Sequence, residues 1–178
     1  VGTIEASGTV TGATTTATAS GSQSIGGLVG ESSGAVNNAS ASGTVTATGQ
    51  YAGGLIGDHQ STTPVTDVNA SGAVTGTSYI GGLLGRGQAD VINASAGGSV
   101  NGTSGGYVGG LVGQYNPSQA ATIANVSVSG DVSASGNRVG GLVGQASSSS
   151  NNRITVSDAH TSGAVNATNT GRYAYTGG

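Results

Sequence analysis

An all-β solenoid of about six coils, with a repeat of ~28 residues, is the fold this sequence predicts. Three observations lead there. A pentapeptide recurs five times in register. A second motif alternates with it and carries a strand pattern. The composition excludes both helices of useful length and a deep core. The 178 residues include 36 Gly and no Phe, Trp, Met or Cys, and charged residues make up only 6%. Glycine at this density breaks helices. Disordered chains usually stay soluble through charge, and here Val, Ile, Leu and the glycines are periodic instead. A thin, repeated core of small side chains fits the composition.

The pentapeptide reads Gly26-Gly27-Leu28-Val29-Gly30, Gly53-Gly54-Leu55-Ile56-Gly57, Gly81-Gly82-Leu83-Leu84-Gly85, Gly109-Gly110-Leu111-Val112-Gly113 and Gly140-Gly141-Leu142-Val143-Gly144. Its first glycines are 27, 28, 28 and 31 residues apart. The pattern predicts one strand of every coil. Its glycines clear part of one face for close backbone approach, and its two adjacent apolar residues point to opposite faces. Tyr51, Tyr79 and Tyr107 stand two places before the motif, where Ser24 and Arg138 stand in the first and last copies. Tyr175-Thr176-Gly177-Gly178 begins a sixth copy, so the chain is expected to be a single domain over 1–178 that is an excerpt of a longer array or an open-ended stacking unit.

The second motif is Ser-Gly-x-Val or a close variant. It runs Ser7-Gly8-Thr9-Val10, Ser42-Gly43-Thr44-Val45, Ser71-Gly72-Ala73-Val74, Gly97-Gly98-Ser99-Val100, Ser129-Gly130-Asp131-Val132 and Ser162-Gly163-Ala164-Val165. From its Val onward small and polar residues alternate, as in Val45-Thr46-Ala47-Thr48, which reads as a strand with one buried face. A third strand segment lies between the motifs, at Val36, Val65, Val91, Ile123 and Ile154–Thr155–Val156. A column of Asn38, Asp67, Asn93, Asn125 and Asp158 sits five residues before each motif glycine. Polar segments of variable length, 31–34, 58–64, 86–90, 114–121 and 145–153, come after the pentapeptides and predict loops on one side of the solenoid.

The repeated Gly-Leu-hydrophobic-Gly resembles the GLUG-motif repeat family, and the resemblance covers nearly the whole chain. It implies large adhesins, secreted or surface-anchored multidomain proteins, and the non-catalytic regions of certain immunoglobulin A peptidases. It further implies a spacer or adhesive role with no enzyme activity in the repeats.

Function is less constrained. The net charge is −3, with four Arg and seven acids placed singly, so no basic patch invites nucleic acid. No apolar run approaches the ~20 residues that span a bilayer. No cofactor or metal is expected, because no carboxylate cluster has ligand spacing. Asp58-His59 and His160 read as solvated surface groups. Several columns remain as candidates. Tyr51, Tyr79 and Tyr107 with Leu55, Leu83 and Leu111 form a candidate interface for assembly or adhesion. Thr46, Thr48, Thr75, Thr77 and Thr103 form a candidate flat Thr face of the kind that orders water, and Thr11 and Ala13 are expected to start its two ranks. Asn38, Asn93 and Asn125 form either a hydrogen-bonded Asn ladder or glycosylation sites, since all three head formal sequons, as do Asn69, Asn101 and Asn166. The expected role is a non-catalytic structural or adhesive repeat, secreted or at the cell surface, that serves as a stalk or filament segment. Its partners would be itself, end to end or side by side, or a host or surface ligand. The alternative is an ice- or glycan-binding solenoid.

Overall fold

The computed structural model describes residues 5–6, 10–15, 19–21, 23–104, 106–135, 138–148, 152–168 and 175–177. Among them every strand pair is parallel and no helix occurs. The described residues wind a β-solenoid of six coils, and each coil contributes one strand to each of four sheets, except that the first gives the second sheet two short strands. A middle coil shows the pattern: Leu84–Gly87 in the first sheet, Val91–Ala96 in the second, Val100–Gly102 in the third and Tyr107–Gly109 in the fourth. Each strand pairs with its equivalent in the coils before and after, so like residues stack. Val36, Val65, Val91, Ile123 and Val156 form one such column. Val45, Val74, Val100, Val132 and Val165 form another.

The sequence pattern yields three strand segments per coil, and the structure has four. The difference lies in the pentapeptide, which is a corner between two strands and not a strand itself. Its first glycine closes a strand of the fourth sheet, as in Tyr51–Gly53, and its second glycine and leucine form a bend. The next hydrophobic residue then opens a strand of the first sheet, as in Ile56–His59. The bend also cancels the alternation rule that sends two adjacent apolar residues to opposite faces. Leu55 and Ile56, Leu83 and Leu84, and Leu111 and Val112 are all 0% exposed and share one core. Burial of each such side chain contributes roughly 1.5–3 kcal/mol.

That core, also lined by the second sheet, holds Val36, Val65, Val91 and Ile123. A separate cluster lies between the third and fourth sheets and joins Val45, Val74, Val100 and Val132 to Ile80, Val108 and Val139. Between the two, the third pentapeptide glycine presses first-sheet backbone onto fourth-sheet backbone. A Cβ on Gly85 would stand 2.6 Å from the Ala52 nitrogen and 2.5 Å from the Gly57 oxygen. No side chain fits there, so the cross-section is pinched at the motif.

The first coil corrects one register. Val10, grouped by sequence with the Ser-Gly-x-Val copies, pairs with Val36 in the second sheet. The third sheet instead starts at Ala19–Gly21, where Ala19 pairs with Val45 and Ser20 with Thr46. The spacing explains it: Val10 and Val45 are 35 residues apart, more than one coil, whereas Ala19 and Val45 are 26 apart. Thr11 accordingly pairs with Asn37 and does not head the Thr rank. Ser7–Thr9 of that first motif copy lie outside the described residues.

Candidate functional site

The pinch positions the first candidate surface. Because the first and fourth sheets meet backbone to backbone, their outer columns stand side by side. The fourth sheet presents Tyr51, Tyr79 and Tyr107 in register, followed by Arg138. The rings of Tyr51 and Tyr79 stack with centroids 5.1 Å apart, and Tyr79 meets Tyr107 edge-on at 5.2 Å. These distances follow from the coil spacing, and they fall inside the range where aromatic pairs attract. The first sheet presents Glu31, Asp58, Arg86, Gln114 and Gln145.

Arg86 ties the columns together. Its Nε and Nη2 donate to the two carboxylate oxygens of Asp58 at 2.7 and 2.6 Å. Its Nη1 donates to the Tyr51 hydroxyl at 3.1 Å, and its guanidinium lies 4.7 Å over that ring. Arg138 covers the Tyr107 ring at the same distance. A bidentate pair of this kind is the strong form of an ion pair. Burial pushes the Tyr51 phenol above its ordinary value, against the opposing pull of Arg86. Sequence reasoning misses this pair, although the signal exists. Asp58 and Arg86 come after consecutive pentapeptides at the same place, 28 residues apart, and so must stack.

The leucines of the expected interface are elsewhere. Leu55, Leu83 and Leu111 are 0% exposed in the core, so the joint Tyr/Leu face is corrected to a Tyr/Arg face. The reason is the corner. Tyr and Leu share a face only if one strand carries both, and the bend at Gly54-Leu55 turns the leucine inward. The loop reading of Asp58 and His59 is corrected too. Both belong to the strand Ile56–His59, with Asp58 1% and His59 0% exposed. Among the described residues of these segments, 33–34, 60–64, 88–90, 116–120, 147–148 and 152–153 lie outside the strands. His160 lies exposed in the strand Ile154–Thr161.

The second surface is the outer face of the third sheet. Thr46, Thr75, Asn101, Ser133 and Asn166 stack in one rank. The next rank is structural. The hydroxyls of Thr48, Thr77 and Thr103 donate to the carbonyls of Gly21, Gly49 and Gly76, each in the coil before, at 3.3, 2.9 and 2.9 Å. Their protons are committed to holding coils together. Ala13 lies in the first coil between the second-sheet strands Val10–Thr11 and Thr14–Thr15, away from this face.

The third surface is the Asn/Asp column on the second sheet. Asn38, Asp67, Asn93, Asn125 and Asp158 all have positive φ, between 50° and 55°. Each sits inside a strand and bends it. The burial pattern registers the bend: Asn37 and Asn38 both face outward, and Ala39 turns in again. Asn and Asp are the side-chain-bearing residues that best tolerate this left-handed region, so the column has a backbone cause that the letters alone do not reveal. Three of the side chains are also bonded along the axis. Asn125 Nδ2 donates to Asn93 Oδ1 at 3.2 Å, and Asn93 Nδ2 donates to Asp67 Oδ1 at 2.9 Å. All six sequon asparagines are exposed. Among the described residues no group of three or more His, Asp or Glu is placed to hold a metal ion.

Comparison with known proteins finds sequence similarity over parts of the chain. The family described as the GLUG motif matches residues 21–46 and 104–133, two stretches that each include a pentapeptide. Halomucin of Haloquadratum walsbyi (strain DSM 16790 / HBSQ001) is 72% identical over a stretch covering 35% of this chain. The aligned stretch spans 1% of halomucin's own length. No solved structure matches the chain.

Proposed function

We propose that this chain, a GLUG-motif β-solenoid, is a non-catalytic spacer within a much longer secreted or surface repeat protein, and that it extends by stacking strand edge on strand edge. The observation that carries this reading is the uniform axial pairing. All four sheets run through all six coils in register, so adding a coil repeats bonds already made. Each coil interface buries the same apolar columns, and stability then grows with coil number. The strand Ile154–Thr161 pairs with the strand Ala121–Val128, and Val156 continues the column after Ile123. The similarity to halomucin, of which the aligned stretch is 1%, supports a long surface protein as the context.

The Tyr/Arg strip is the face through which such a spacer would adhere, to a neighbouring rod or to a surface ligand. The ice-binding alternative is weaker, because one of the two Thr ranks has its hydroxyl protons bonded to backbone. Electron microscopy of the purified chain across a concentration series tests the stacking. Rods that lengthen with concentration are expected. Short particles of one length at every concentration would refute edge stacking by this segment.

A further inference from the structure

His59 is the histidine that the fold buries, at 0% exposure, and its two ring nitrogens have different fates. Nε2 lies 2.9 Å from the Thr63 carbonyl oxygen. A carbonyl can only accept, so Nε2 carries the proton and Nδ1 is bare. Nδ1 is buried and has no hydrogen-bond partner. The contact joins the end of the strand Ile56–His59 to the far side of the turn 60–64 and closes that turn over the ring.

Neighbouring columns explain how a ring fits there. Ser32 pairs with His59 in the coil before, and Gly87, next to the Asp58 partner Arg86, stands in the coil after. Tyr115 pairs with Gly87 one coil further on. Large and small residues alternate along this column, so each ring occupies the space its small neighbours leave. Tyr115 is fully satisfied, donating its hydroxyl to the Ala89 carbonyl at 2.8 Å. His59 is satisfied on one side only.

We propose that His59 is an acid-sensitive latch: neutral, it holds the turn 60–64 closed, and protonation at Nδ1 releases that turn while the rest of the solenoid stays wound. Protonation would put a charge and a new N–H donor into a buried space that offers Nδ1 no acceptor. The charged and titratable groups around the ring are already engaged. Asp58 uses both oxygens on Arg86 and accepts from Gln60 as well. Glu31 accepts from Ser24 at 2.8 Å, and the Tyr115 proton is donated to Ala89. The Ser32 hydroxyl donates to Gly34. Burial accordingly holds the imidazole below its ordinary value, outweighing the opposing pulls of the Thr63 carbonyl and Asp58.

The sign comes from linkage. The closed turn binds the proton more weakly than the open turn, so closure is fully favoured above the ordinary histidine value of ~6.5. It weakens by up to ~10-fold per pH unit as pH falls from there toward the depressed value.

Hydrogen exchange followed by NMR across pH 4–8 reads this directly. The Gln60 amide, which donates to the Ser32 carbonyl at 2.9 Å, should show constant protection above pH ~6.5 and a falling protection factor below it. The Leu84 amide, bonded to Leu111 in the core, should not respond. His59→Gln should flatten the Gln60 profile, and His160→Gln should leave it intact. In the unmodified chain the His59 ring should titrate below the ordinary histidine value of ~6.5. A Gln60 protection factor independent of pH, or a His59 ring titrating at or above its ordinary value, would overturn the latch.

Discussion

Each coil bends at two kinds of corner, and they solve the same problem by opposite means. At the pentapeptide the chain removes side chains: Gly54 and Gly85 sit where a Cβ would strike backbone of another sheet or coil. At the second-sheet corner the chain keeps a side chain and changes the backbone instead, with Asn93 at φ 53° and its amide bonded to its neighbours above and below. The first corner is buried and steric. The second is exposed and conformational. A repeated residue can therefore record a shortage of space or a need for a particular φ, and substitution separates the two.

The largest effect is expected at the steric corner. Gly85→Ala would place a methyl 2.6 Å from the Ala52 nitrogen, against backbone on two sides. The loss should reach about 4 kcal/mol or more, visible as a large drop in urea midpoint. A loss under about 0.5 kcal/mol would mean the pinch can relax. Next comes the ion pair over the same corner. Asp58 is 1% exposed, so Arg86→Ala strands a buried carboxylate and should cost about 3 kcal/mol. Adding Asp58→Asn to that variant should recover part of the loss, and a double-mutant cycle in denaturant measures the coupling.

At the conformational corner the effects shrink. Asn93→Ala keeps a Cβ at positive φ and loses two exposed ladder bonds, for about 1–2 kcal/mol. Asn93→Gly should cost less, because glycine adopts this φ freely. Calorimetry on the pair isolates the backbone share, and equal losses would show that the ladder alone matters. Asp67→Asn should be nearly silent, within about 0.5 kcal/mol in a thermal melt, since Asn also tolerates this φ and its oxygen still accepts from Asn93.

Much of the fold is legible because the steric corner cannot vary. Three glycines and a leucine recur wherever the pinch recurs, so the period, the solenoid and the coil number can be read from the string. The conformational corner is half legible. The Asn/Asp register stands out and suggests a ladder, but the same residue types serve caps, turns and sequons, and nothing in the letters Asn38 or Asp158 states a positive φ. The Tyr column is visible for the same reason as the pentapeptide. Its true partner, Arg86, is not, because pairing across the corner depends on two sheets meeting.

Which residues stack is already set by the order of amino acids, since parallel in-register pairing brings each repeat position onto its equivalent. What surrounds each stack is set only when the coil closes in three dimensions. Closure makes the pentapeptide a bend, sends Leu55, Leu83 and Leu111 inward, and encloses His59. The physical reason is that stacking is a one-dimensional rule, readable from spacing. Burial depends on how four sheets meet in cross-section, through contacts between positions with no fixed spacing in the chain.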